Sequence, residues 1–492
     1  MPTVHRVLAR TLTHALVGLE TRRVEVEAHL ENGVPGFAIV GLADRACQEA
    51  KHRVRSGIAS AELDWPMRRI TVNLAPAALR KEGSAFDLPI ALAILAASGQ
   101  IPRDSLDDHA AVGELALDGR LRPVGGVLAL AEAALEAGLP RLLCAARSSP
   151  EAALAGIDPV PVRHLADAVA YLRGERVPEP WVPRNGHRAE PPALDLADLR
   201  GQERARRALE IVATGGHNLL LAGPPGTGKT MLARRLPGIL PPLSSAEAIE
   251  VTRIHSVAGM LAAERPLVTA RPLRSPHYSA SVAALVGGGP GPKPGEVSLA
   301  HRGVLVLDEF AEFQRPALEA LRQPLEDGIV SIARVGGRAV FPARFQLVAA
   351  MNLCPCGARG DPAADCKCSP QRLSAYRDKL SRALLDRFDL VVTVPRPRAR
   401  ELEGAPGERS DAVRERVTAA RERAREEPLR RSREANELLS RAVERLPLSA
   451  RGRARVARVA RTIALLAGAK EVGTAQVAEA LSYRSPTELG TP

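Results

Sequence analysis

The stretch LLLAGPPGTGKTMLARRL, residues Leu219 to Leu236, decides the fold of the middle part of the chain. Its apolar start predicts a buried β-strand, and the glycine- and proline-rich segment that follows predicts a loop. A helical pattern then begins near Lys229. A strand, a glycine-rich loop and a helix in this order can hold a phosphate group on backbone N–H groups at the helix N-terminus. The stretch therefore predicts an α/β domain that binds a nucleoside triphosphate.

The loop carries the eight-residue pattern that binds phosphate groups, since residues 223–230 read GPPGTGKT. Its glycines let backbone N–H groups face the phosphates, Lys229 can reach the β- and γ-phosphate oxygens, and the Thr230 hydroxyl can bind Mg²⁺. The predicted nucleotide-binding residues are Gly223, Pro224, Pro225, Gly226, Thr227, Gly228, Lys229 and Thr230.

A second apolar strand pattern ends in two carboxylates, because residues 303–309 read GVLVLDE. A metal-dependent enzyme that cleaves phosphate bonds needs such groups. We expect Asp308 to hold Mg²⁺ together with Thr230, and Glu309 to polarise the attacking water as general base. Either acid alone can be an exposed strand end, so the prediction depends on both following one apolar run.

Two further residues are candidates for the same chemistry. The strand pattern FQLVAAMN ends in Asn352, which can orient the water or sense the γ-phosphate, and ALLDRFDL contains Arg387, a candidate arginine finger. An arginine donated across a subunit boundary stabilises charge on the transferring phosphoryl group. Arg387 therefore predicts a homo-oligomer in which a neighbouring copy completes each site.

Composition divides the 492 residues into three regions and a linker. Residues 1–172 alternate short β-patterned runs with alanine- and leucine-rich helical patterns, which predicts an α+β or α/β domain. Residues 173–193 are rich in proline and polar residues and predict a linker. Residues 194–395 contain the phosphate loop, and residues 396–492 are almost wholly helical in pattern, which indicates a packed helical lid. The predicted fold class is therefore α/β, with an α+β domain before the core and a helical lid after it.

The net charge of +12 suits a nucleic-acid partner, because lysine and arginine release counterions from phosphates. An arginine-rich proteome would give the same sign without DNA, so charge alone leaves both interpretations open. The sequence shows no run of 18 apolar residues and no secretory signal pattern, which predicts a cytoplasmic protein without membrane segments. Leu88–Ala97 has the length of a buried core element, and residues 408–431, charged on nearly every face, predict a solvated helix.

Taken together, the motifs resemble one family of ATPases. The strings that carry the resemblance are GPPGTGKT, RPLRSPHYSAS, LVGGGPGPKPGEVSLAHRGVLVLDE, LRQPLEDG, AAMNLCPCG and LLDRFDL, with RKEGSAFDLPIALAILAASGQ in the first region. They are similar to the Mg-chelatase-like AAA+ ATPases of the ComM/YifB family over nearly the whole chain. One departure is SRALLDR at residues 381–387, where the family usually has SGPLLDR, and it leaves Arg387 in place.

The resemblance implies a bacterial cytoplasmic ring ATPase that uses ATP and Mg²⁺. For the ComM branch it implies a hexameric DNA branch-migration helicase that acts during natural transformation. It also implies that Arg451, in the lid, contacts nucleotide. Candidates for mobile segments at a central pore, or simply for surface loop residues, are Arg271, Arg274, His277 and Lys293.

Four of the six cysteines, Cys354, Cys356, Cys366 and Cys368, form a C-x-C-x9-C-x-C pattern in residues 354–368. Four thiolates can close a tetrahedral Zn²⁺ site, which would stabilise an insertion that has no other evident core. The C-x-C spacing is tighter than usual, and the family resemblance places a cluster here as well. Disulfides are disfavoured in a reducing cytosol, so we predict Zn²⁺ in a structural role, since four protein ligands leave no open position for water.

The first region resembles the proteolytic domain of Lon, through RKEGSAFDLPIALAIL and GELALDGRLRPVGGVLAL. Lon-type proteolysis needs a serine nucleophile and a lysine that removes its proton. Ser84 lies one place earlier than the serine of Lon, and Leu128 occupies the position where the lysine is expected. Leucine cannot act as a base. We therefore predict a Lon-like, S5-type fold without protease activity, in which Ser84 is a turn or helix-capping residue.

Two other functions fit parts of the pattern. A chelatase motor that helps to insert Mg²⁺ into a porphyrin would use the same ATPase core, but we would not expect it to carry a Lon-like first region. A nucleotide-dependent scaffold would need no hydrolysis machinery, and the set of Lys229, Asp308, Glu309, Asn352 and Arg387 argues against it. We therefore predict an ATP-driven motor that acts on branched or single-stranded DNA.

Overall fold

The computed structural model describes residues 8–180, 194–289, 292–334, 337–426, 429–446 and 448–484. Most of the predicted linker, residues 181–193, and the end of the predicted lid, residues 485–492, lie outside the described residues.

A seven-stranded mixed sheet with strand order β3-β4-β2-β1-β5-β8-β9 forms the centre of the first region. Long antiparallel strands make one half of this sheet, where β1 pairs with β2 from Leu8 opposite His29 to Val17 opposite Glu20. Short parallel strands make the other half. The strands are β1 Leu8–Val17, β2 Glu20–Glu31, β3 Gly36–Val40, β4 Arg69–Ala75, β5 His109–Ala111, β8 Arg141–Ala145 and β9 Asp158–Val162, with a separate hairpin of β6 Glu114–Leu115 and β7 Leu121–Arg122.

Five helices cover this sheet. They are α1 Arg45–Ser60, α2 Asp87–Ala97, α3 Val127–Glu136, α4 Ser149–Ala153 and α5 Leu165–Leu172. Every residue of α2 is buried, and the helix packs against α1, β1 and β2. This confirms the prediction that Leu88–Ala97 is a core element. A helix that is apolar all round is stable only when it is surrounded by protein in this way.

The environment of Ser84 differs in part from the prediction. Its carbonyl oxygen accepts a hydrogen bond from Asp87 N at 3.2 Å, as a turn residue would. Its hydroxyl, however, donates to the Glu114 carboxylate, and α2 begins after Phe86 without a side-chain cap. Ser84 is therefore a turn residue and not a helix cap, because Phe86 precedes α2 and the Ser84 hydroxyl oxygen accepts no N–H of the helix. Leu128 is fully buried in α3, and its backbone N–H donates to Glu151.

The second region is built on five parallel strands in the order β11-β14-β17-β10-β18. They are β10 Leu219–Ala222, β11 Leu273–Arg274, β14 Val304–Leu307, β17 Gln346–Met351 and β18 Leu390–Thr393. The residues of the three central strands are all buried, as expected for a parallel sheet covered on both faces. Because the strands are parallel, all their carboxyl ends meet at one edge of the sheet.

Nine helices and two hairpins belong to the same region in the described residues. The helices are α6 Glu203–Gly215, α7 Lys229–Ile239, α8 Ser245–Val257, α9 Val282–Val286, α10 Glu296–Leu299, α11 Arg315–Ala320, α12 Arg322–Asp327, α13 Pro370–Asp378 and α14 Arg382–Leu385. The hairpins pair β12 Gly287–Gly288 with β13 Lys293–Pro294, and β15 Ile329–Arg334 with β16 Gly337–Pro342. The fold is thus α/β with a central parallel sheet, as predicted.

The remaining elements of the described residues are helices, and the apolar faces of the four longer ones form one hydrophobic core with α6 and α7. They are α15 Ala399–Leu402, α16 Ser410–Glu426, α17 Arg433–Arg445, α18 Ala450–Leu466 and α19 Thr474–Ser482. The prediction of a solvated helix at residues 408–431 was wrong for α16. Its buried residues Ser410, Val413, Val417 and Ala420 form a stripe at helical spacing.

The first region contacts the second through α3 and α8. Gly126 N donates to Ser256 O at 3.1 Å, and Arg253 forms an ion pair with Glu132 at 2.7 Å. Glu151 accepts hydrogen bonds from the Ser256 hydroxyl and from Leu128 N. Burial raises the pKa of Glu151, although these hydrogen bonds act in the opposite direction. The two regions are therefore joined by polar contacts as well as by chain connectivity.

Candidate nucleotide site

The phosphate loop connects β10 to α7 at the carboxyl edge of the sheet, as the motif requires. Gly223 directly follows β10 and packs closely against the end of β18. A Cβ atom at this position would lie 2.2 Å from Val394 O, a clash that only glycine avoids. Gly228, the residue before α7, has φ +89°, a left-handed conformation that favours glycine. The loop is thus fixed by backbone geometry, and its N–H groups lie at the N-terminus of an 11-residue helix.

Lys229 connects the loop to the neighbouring strand. Its Nζ donates to Gly223 O at 2.8 Å, to Pro224 O at 2.6 Å and to Asn352 Oδ1 at 3.3 Å. Burial lowers the pKa of Lys229 to about 8, although the nearby charge of Asp308 acts in the opposite direction. A phosphate group beside this amine would stabilise its charged form.

Thr230 and Asp308 lie in position to share a metal ion. The Thr230 hydroxyl donates to Asp308 Oδ2 at 2.8 Å. Two adjacent ligands in an octahedral Mg²⁺ site, each about 2.0–2.1 Å from the ion, are about 2.9 Å apart. The hydroxyl oxygen of Thr230 and the carboxylate oxygen of Asp308 thus have the spacing of two adjacent Mg²⁺ ligands, so the two residues fit the ion.

Glu309 and Asn352 complete the carboxyl edge. Glu309 follows β14 with φ +51°, and its N–H donates to Asp308 Oδ1 at 2.9 Å. A left-handed conformation in a residue other than glycine costs free energy and is common at functional sites. Asn352 follows β17, and the Tyr376 hydroxyl donates to its carbonyl oxygen at 3.2 Å. The structure therefore brings Lys229, Thr230, Asp308, Glu309 and Asn352 to one edge of the sheet.

Arg387 and Arg451 lie elsewhere. Arg387 precedes β18, so it lies at the amino edge of the sheet, about 13 Å of strand length from the phosphate loop. Its guanidinium group is buried and donates to the Glu326 carboxylate and to Ala383 O. Arg451, at the start of α18, is exposed and donates to the same carboxylate at 3.4 Å. Neither arginine reaches the phosphate loop of its own chain in this structure.

Residues that sequence reasoning missed hold Arg387 in place. Asn218 Nδ2 donates to Arg387 O at 3.1 Å, while Asn218 Oδ1 accepts from Leu347 N at 2.9 Å. Asp389 accepts from Asn218 N at 3.0 Å and from Arg458 at 3.1 Å. Burial would raise the pKa of Asp389, but its bonds to His217, Asn218 and Arg458 outweigh burial and lower it. Of the residues that hold Arg387, only Asp389 belongs to a recognisable sequence motif, LLDRFDL.

The four cysteines predicted to bind Zn²⁺ come together beside this site. Their sulfur atoms all lie within 4.8 Å of one another, and three of the separations are 3.3, 3.7 and 3.8 Å. Sulfur atoms in a tetrahedral site with Zn–S distances of about 2.3 Å are about 3.8 Å apart. The donor set Cys354, Cys356, Cys366 and Cys368 therefore fits a closed four-thiolate site.

Two of the candidate pore residues have structural partners. Arg271 donates to the carbonyl oxygens of Pro241 and Arg302, and Arg274 makes a two-pronged ion pair with Glu296 at 2.6 and 2.8 Å. These arginines therefore fix local structure. His277 and Lys293 are exposed, and His277 Nδ1 lies 2.8 Å from Ser279 Oγ, at hydrogen-bond distance. Residues 290 and 291 of the segment before Lys293 lie outside the described residues.

The fold and the site define the class of protein as a P-loop ATPase of the AAA+ type. Three family profiles match the chain: "Magnesium chelatase, subunit ChlI" over residues 195–402, "Subunit ChlI of Mg-chelatase" over residues 26–148, and "Magnesium chelatase, subunit ChlI C-terminal" over residues 407–484.

Full-length relatives narrow this class to one family. The chain is 47% identical to an uncharacterized protein of Mycobacterium tuberculosis, over 97% of this chain and 98% of the relative. It is 42% identical to YifB of Escherichia coli, over 97% of both chains, and 44% identical to "Competence protein ComM" of Haemophilus influenzae, over 98% of both. The chain belongs to the ComM/YifB family of Mg-chelatase-like AAA+ ATPases, which confirms the resemblance inferred from the motifs.

Among the described residues, no helix combines the length and the apolar character needed to cross a lipid bilayer.

Proposed function

We propose that the protein is an ATP-hydrolysing motor that assembles into a hexameric ring, and that it remodels single-stranded or branched DNA in the cytoplasm. The recombination steps of natural transformation are the proposed setting. The observation that carries the proposal is the division of the hydrolysis residues between two edges of one sheet: Lys229 and Asp308 lie at one edge, Arg387 at the other.

The carboxyl edge supplies the groups that one chain contributes to its own nucleotide site. The loop N–H groups and Lys229 would bind the β- and γ-phosphates, and Thr230 and Asp308 would hold Mg²⁺. Mg²⁺ neutralises the charge that develops on the phosphate oxygens during transfer. Glu309 would accept a proton from the attacking water, and Asn352, held by Lys229 and Tyr376, would orient that water.

The amino edge supplies what the site of one chain lacks. Arg387 and Arg451 both face Glu326, although one belongs to the sheet domain and the other to the lid. Two cations that meet at one carboxylate, remote from their own phosphate loop, suit the triphosphate of a neighbouring copy. A head-to-tail contact of this kind generates a closed ring when the rotation closes, which supports a homo-oligomer.

DNA is the proposed partner for two reasons. The net charge of +12 favours a polyanion, and a relative that is 44% identical over 98% of the chain carries the name "Competence protein ComM". Lys293, exposed on the β12–β13 hairpin, is a proposed contact at the ring's centre.

A chelatase motor is the second candidate, because all three family profiles carry the magnesium chelatase description. The profile over residues 26–148 carries it too, so the first region does not by itself argue against this function. Under this alternative the partner would be a protein complex that inserts Mg²⁺ into a porphyrin. A nucleotide-dependent scaffold is less well supported, since the carboxyl edge gathers the lysine, the candidate Mg²⁺ ligands and the candidate base that hydrolysis would use.

ATP turnover and strand displacement on a fluorescent four-way DNA junction test the proposal, with wild type and Lys229→Ala side by side. We expect the junction to stimulate hydrolysis, and we expect displacement to be lost in the variant. Hydrolysis that is indifferent to every form of DNA would leave the ATPase in place but contradict the DNA motor and favour the chelatase candidate.

A further inference from the structure

The cysteine-rich segment, residues 354–368, lies directly against the phosphate loop. Gly357, between the second and third cysteines, approaches Pro225 so closely that a Cβ atom there would lie 3.2 Å from Pro225 Cδ. Gly357 has φ +81°, so both its conformation and this contact favour glycine. The cysteine-rich segment therefore forms a wall of the nucleotide site.

The same segment is continuous with a residue that contacts Lys229. Asn352, whose Oδ1 accepts from Lys229 Nζ, is separated from Cys354 only by the buried Leu353. The Cys354 side chain is itself fully buried, and its sulfur accepts from Arg359 N at 3.3 Å. One buried residue therefore separates a candidate metal ligand from the side chain that accepts from Lys229.

A third contact joins the cysteine-rich segment to the residues that follow β18. Asp361, whose side chain is 10% exposed, forms an ion pair with Arg396 at 3.1 Å. The neighbouring Pro395 accepts a hydrogen bond from Gln202 Nε2 at 2.7 Å, and Gln202 also approaches Thr227 O at 3.5 Å. A second chain of contacts therefore links the segment to the phosphate loop.

The cysteine-rich segment has little else to hold it. Between β17 and α13, residues 352–369 contain no helix or strand. Ordering such a segment costs conformational entropy, which the binding of a metal ion to four thiolates would offset.

We propose that metal binding at the four cysteines and nucleotide binding at the phosphate loop are thermodynamically coupled. The metal-loaded segment holds Pro225 and Asn352 in the arrangement that binds nucleotide, and bound nucleotide in turn strengthens retention of the metal. Coupling between two sites is reciprocal, so each ligand changes the affinity of the other by the same factor. The inference rests on the proposed function, because it takes the phosphate loop as a nucleotide site.

The test measures both affinities on the full chain. Zinc content is measured by elemental analysis, and zinc affinity by competition with a zinc-selective chelator, with and without a non-hydrolysable ATP analogue and Mg²⁺. The Kd of a fluorescent ATP analogue is measured on loaded and stripped protein. We expect one zinc ion per chain, a zinc affinity at least about fivefold higher with nucleotide, and a Kd for nucleotide raised by the same factor in the stripped protein.

Three variants and one control variant sharpen the result. In Lys229→Ala, which should bind nucleotide poorly, zinc affinity should not respond to the analogue. Pro225→Ala removes the ring that contacts Gly357 and should keep zinc while reducing the coupling factor. Cys366→Ser should lose both zinc and tight nucleotide binding, whereas Cys144→Ala, a buried cysteine outside the cluster, should keep both.

Each failure has its own meaning. Equal zinc affinity with and without saturating nucleotide in the wild type would overturn the coupling while the nucleotide site stands. Loaded protein that binds no nucleotide would overturn the proposed function itself. Protein that binds no zinc while its four thiols are free to react would overturn the metal site and the coupling together.

Discussion

Lys229 shows how one residue depends on its surroundings for its chemistry. Its amine is held by two loop carbonyl oxygens and by Asn352, in a site buried enough to lower its pKa to about 8. The same burial strengthens any electrostatic contact with phosphate oxygens. Affinity for ATP should therefore depend on the protonation of this one group.

The pH dependence of nucleotide binding tests this. A lysine with a pKa of about 8 is mostly charged at pH 7 and mostly neutral at pH 9, so ATP affinity should fall about tenfold between these values. The measurement is the Kd of a non-hydrolysable ATP analogue against pH. Lys229→Arg is the matched control, because arginine stays charged throughout, and its affinity should not follow this curve. A wild-type affinity that is constant up to pH 9 would contradict the assignment.

Glu309→Gln tests the proposed general base. The substitution keeps size and hydrogen bonding but removes the proton acceptor, so turnover should fall by about 10²- to 10⁴-fold. Nucleotide binding and assembly should be retained, as measured by analogue binding and by mass in solution. Glu312→Gln, an exposed acid three residues further along, is the control and should turn over normally. Normal hydrolysis by Glu309→Gln would remove Glu309 from the mechanism.

For single residues, the sequence predicts well which side chains meet at the carboxyl edge and predicts poorly which side chains surround Arg387 at the amino edge. Lys229, Thr230, Asp308 and Asn352 each follow or precede an apolar strand, and parallel strands bring their carboxyl ends together. Asn218 and Glu326 gain their roles only from tertiary contacts with Arg387, far away along the chain. No local pattern marks such residues.

Among the secondary-structure elements, α16 shows where a sequence pattern misleads. Charged residues dominate its surface, yet a stripe of small and β-branched residues packs against α6, α7 and α18. Several of its arginines bind the protein itself: Arg416 pairs with Glu210 at 2.8 Å, and Arg421 donates to Ala213 O at 3.0 Å. The high arginine content of α16 therefore obscures, in the sequence pattern, a helix that joins the lid to the core.

Val417→Ala tests this packing. Val417 is fully buried in the core shared by α16 and α6, and the substitution leaves a cavity, so stability should fall by about 2 kcal/mol. The measurement is the thermal unfolding midpoint, with resistance to proteolysis of the lid as a second readout. Glu415→Ala, at an exposed position of the same helix, should change neither. An unchanged midpoint for Val417→Ala would show that α16 is loosely attached.

Asn218 precedes β10 and bonds to Leu347 of β17 and to Arg387 before β18. A change at Asn218 should therefore alter the position of Arg387. Asn218→Ala would leave the carbonyl oxygen of Arg387 and the N–H of Leu347 without their partners, at a cost of about 1–3 kcal/mol. Because Asn218 lies at the amino end of β10, we expect kcat to fall about tenfold while the Kd for nucleotide stays the same. Asn218→Asp keeps the acceptor for Leu347 and should retain more activity. A loss of nucleotide affinity equal to the loss of kcat would contradict a role through Arg387.

For the whole molecule, the structure has two functional edges. In the proposed mechanism the carboxyl edge binds and positions the nucleotide, while at the amino edge two arginines contact one glutamate. The family profiles and relatives establish the ATPase family, and the sequence motifs predict that family correctly because they are long and local. How copies meet depends on surfaces that no single motif describes, so the ring and its action on DNA remain proposals.

The central claim is that each site is completed by a neighbouring copy. Lys229→Ala and Arg387→Ala should each lose ATP turnover alone, since one lacks the phosphate-binding lysine and the other lacks the arginine finger. In an equal mixture that exchanges subunits, the phosphate loop of an Arg387→Ala copy can meet the intact Arg387 of a Lys229→Ala copy. With random assembly and independent sites, about a quarter of the interfaces are intact, so turnover should recover to about a quarter of wild type. A mixture that stays as inactive as either variant, although subunit exchange is demonstrated, would contradict a site shared between copies.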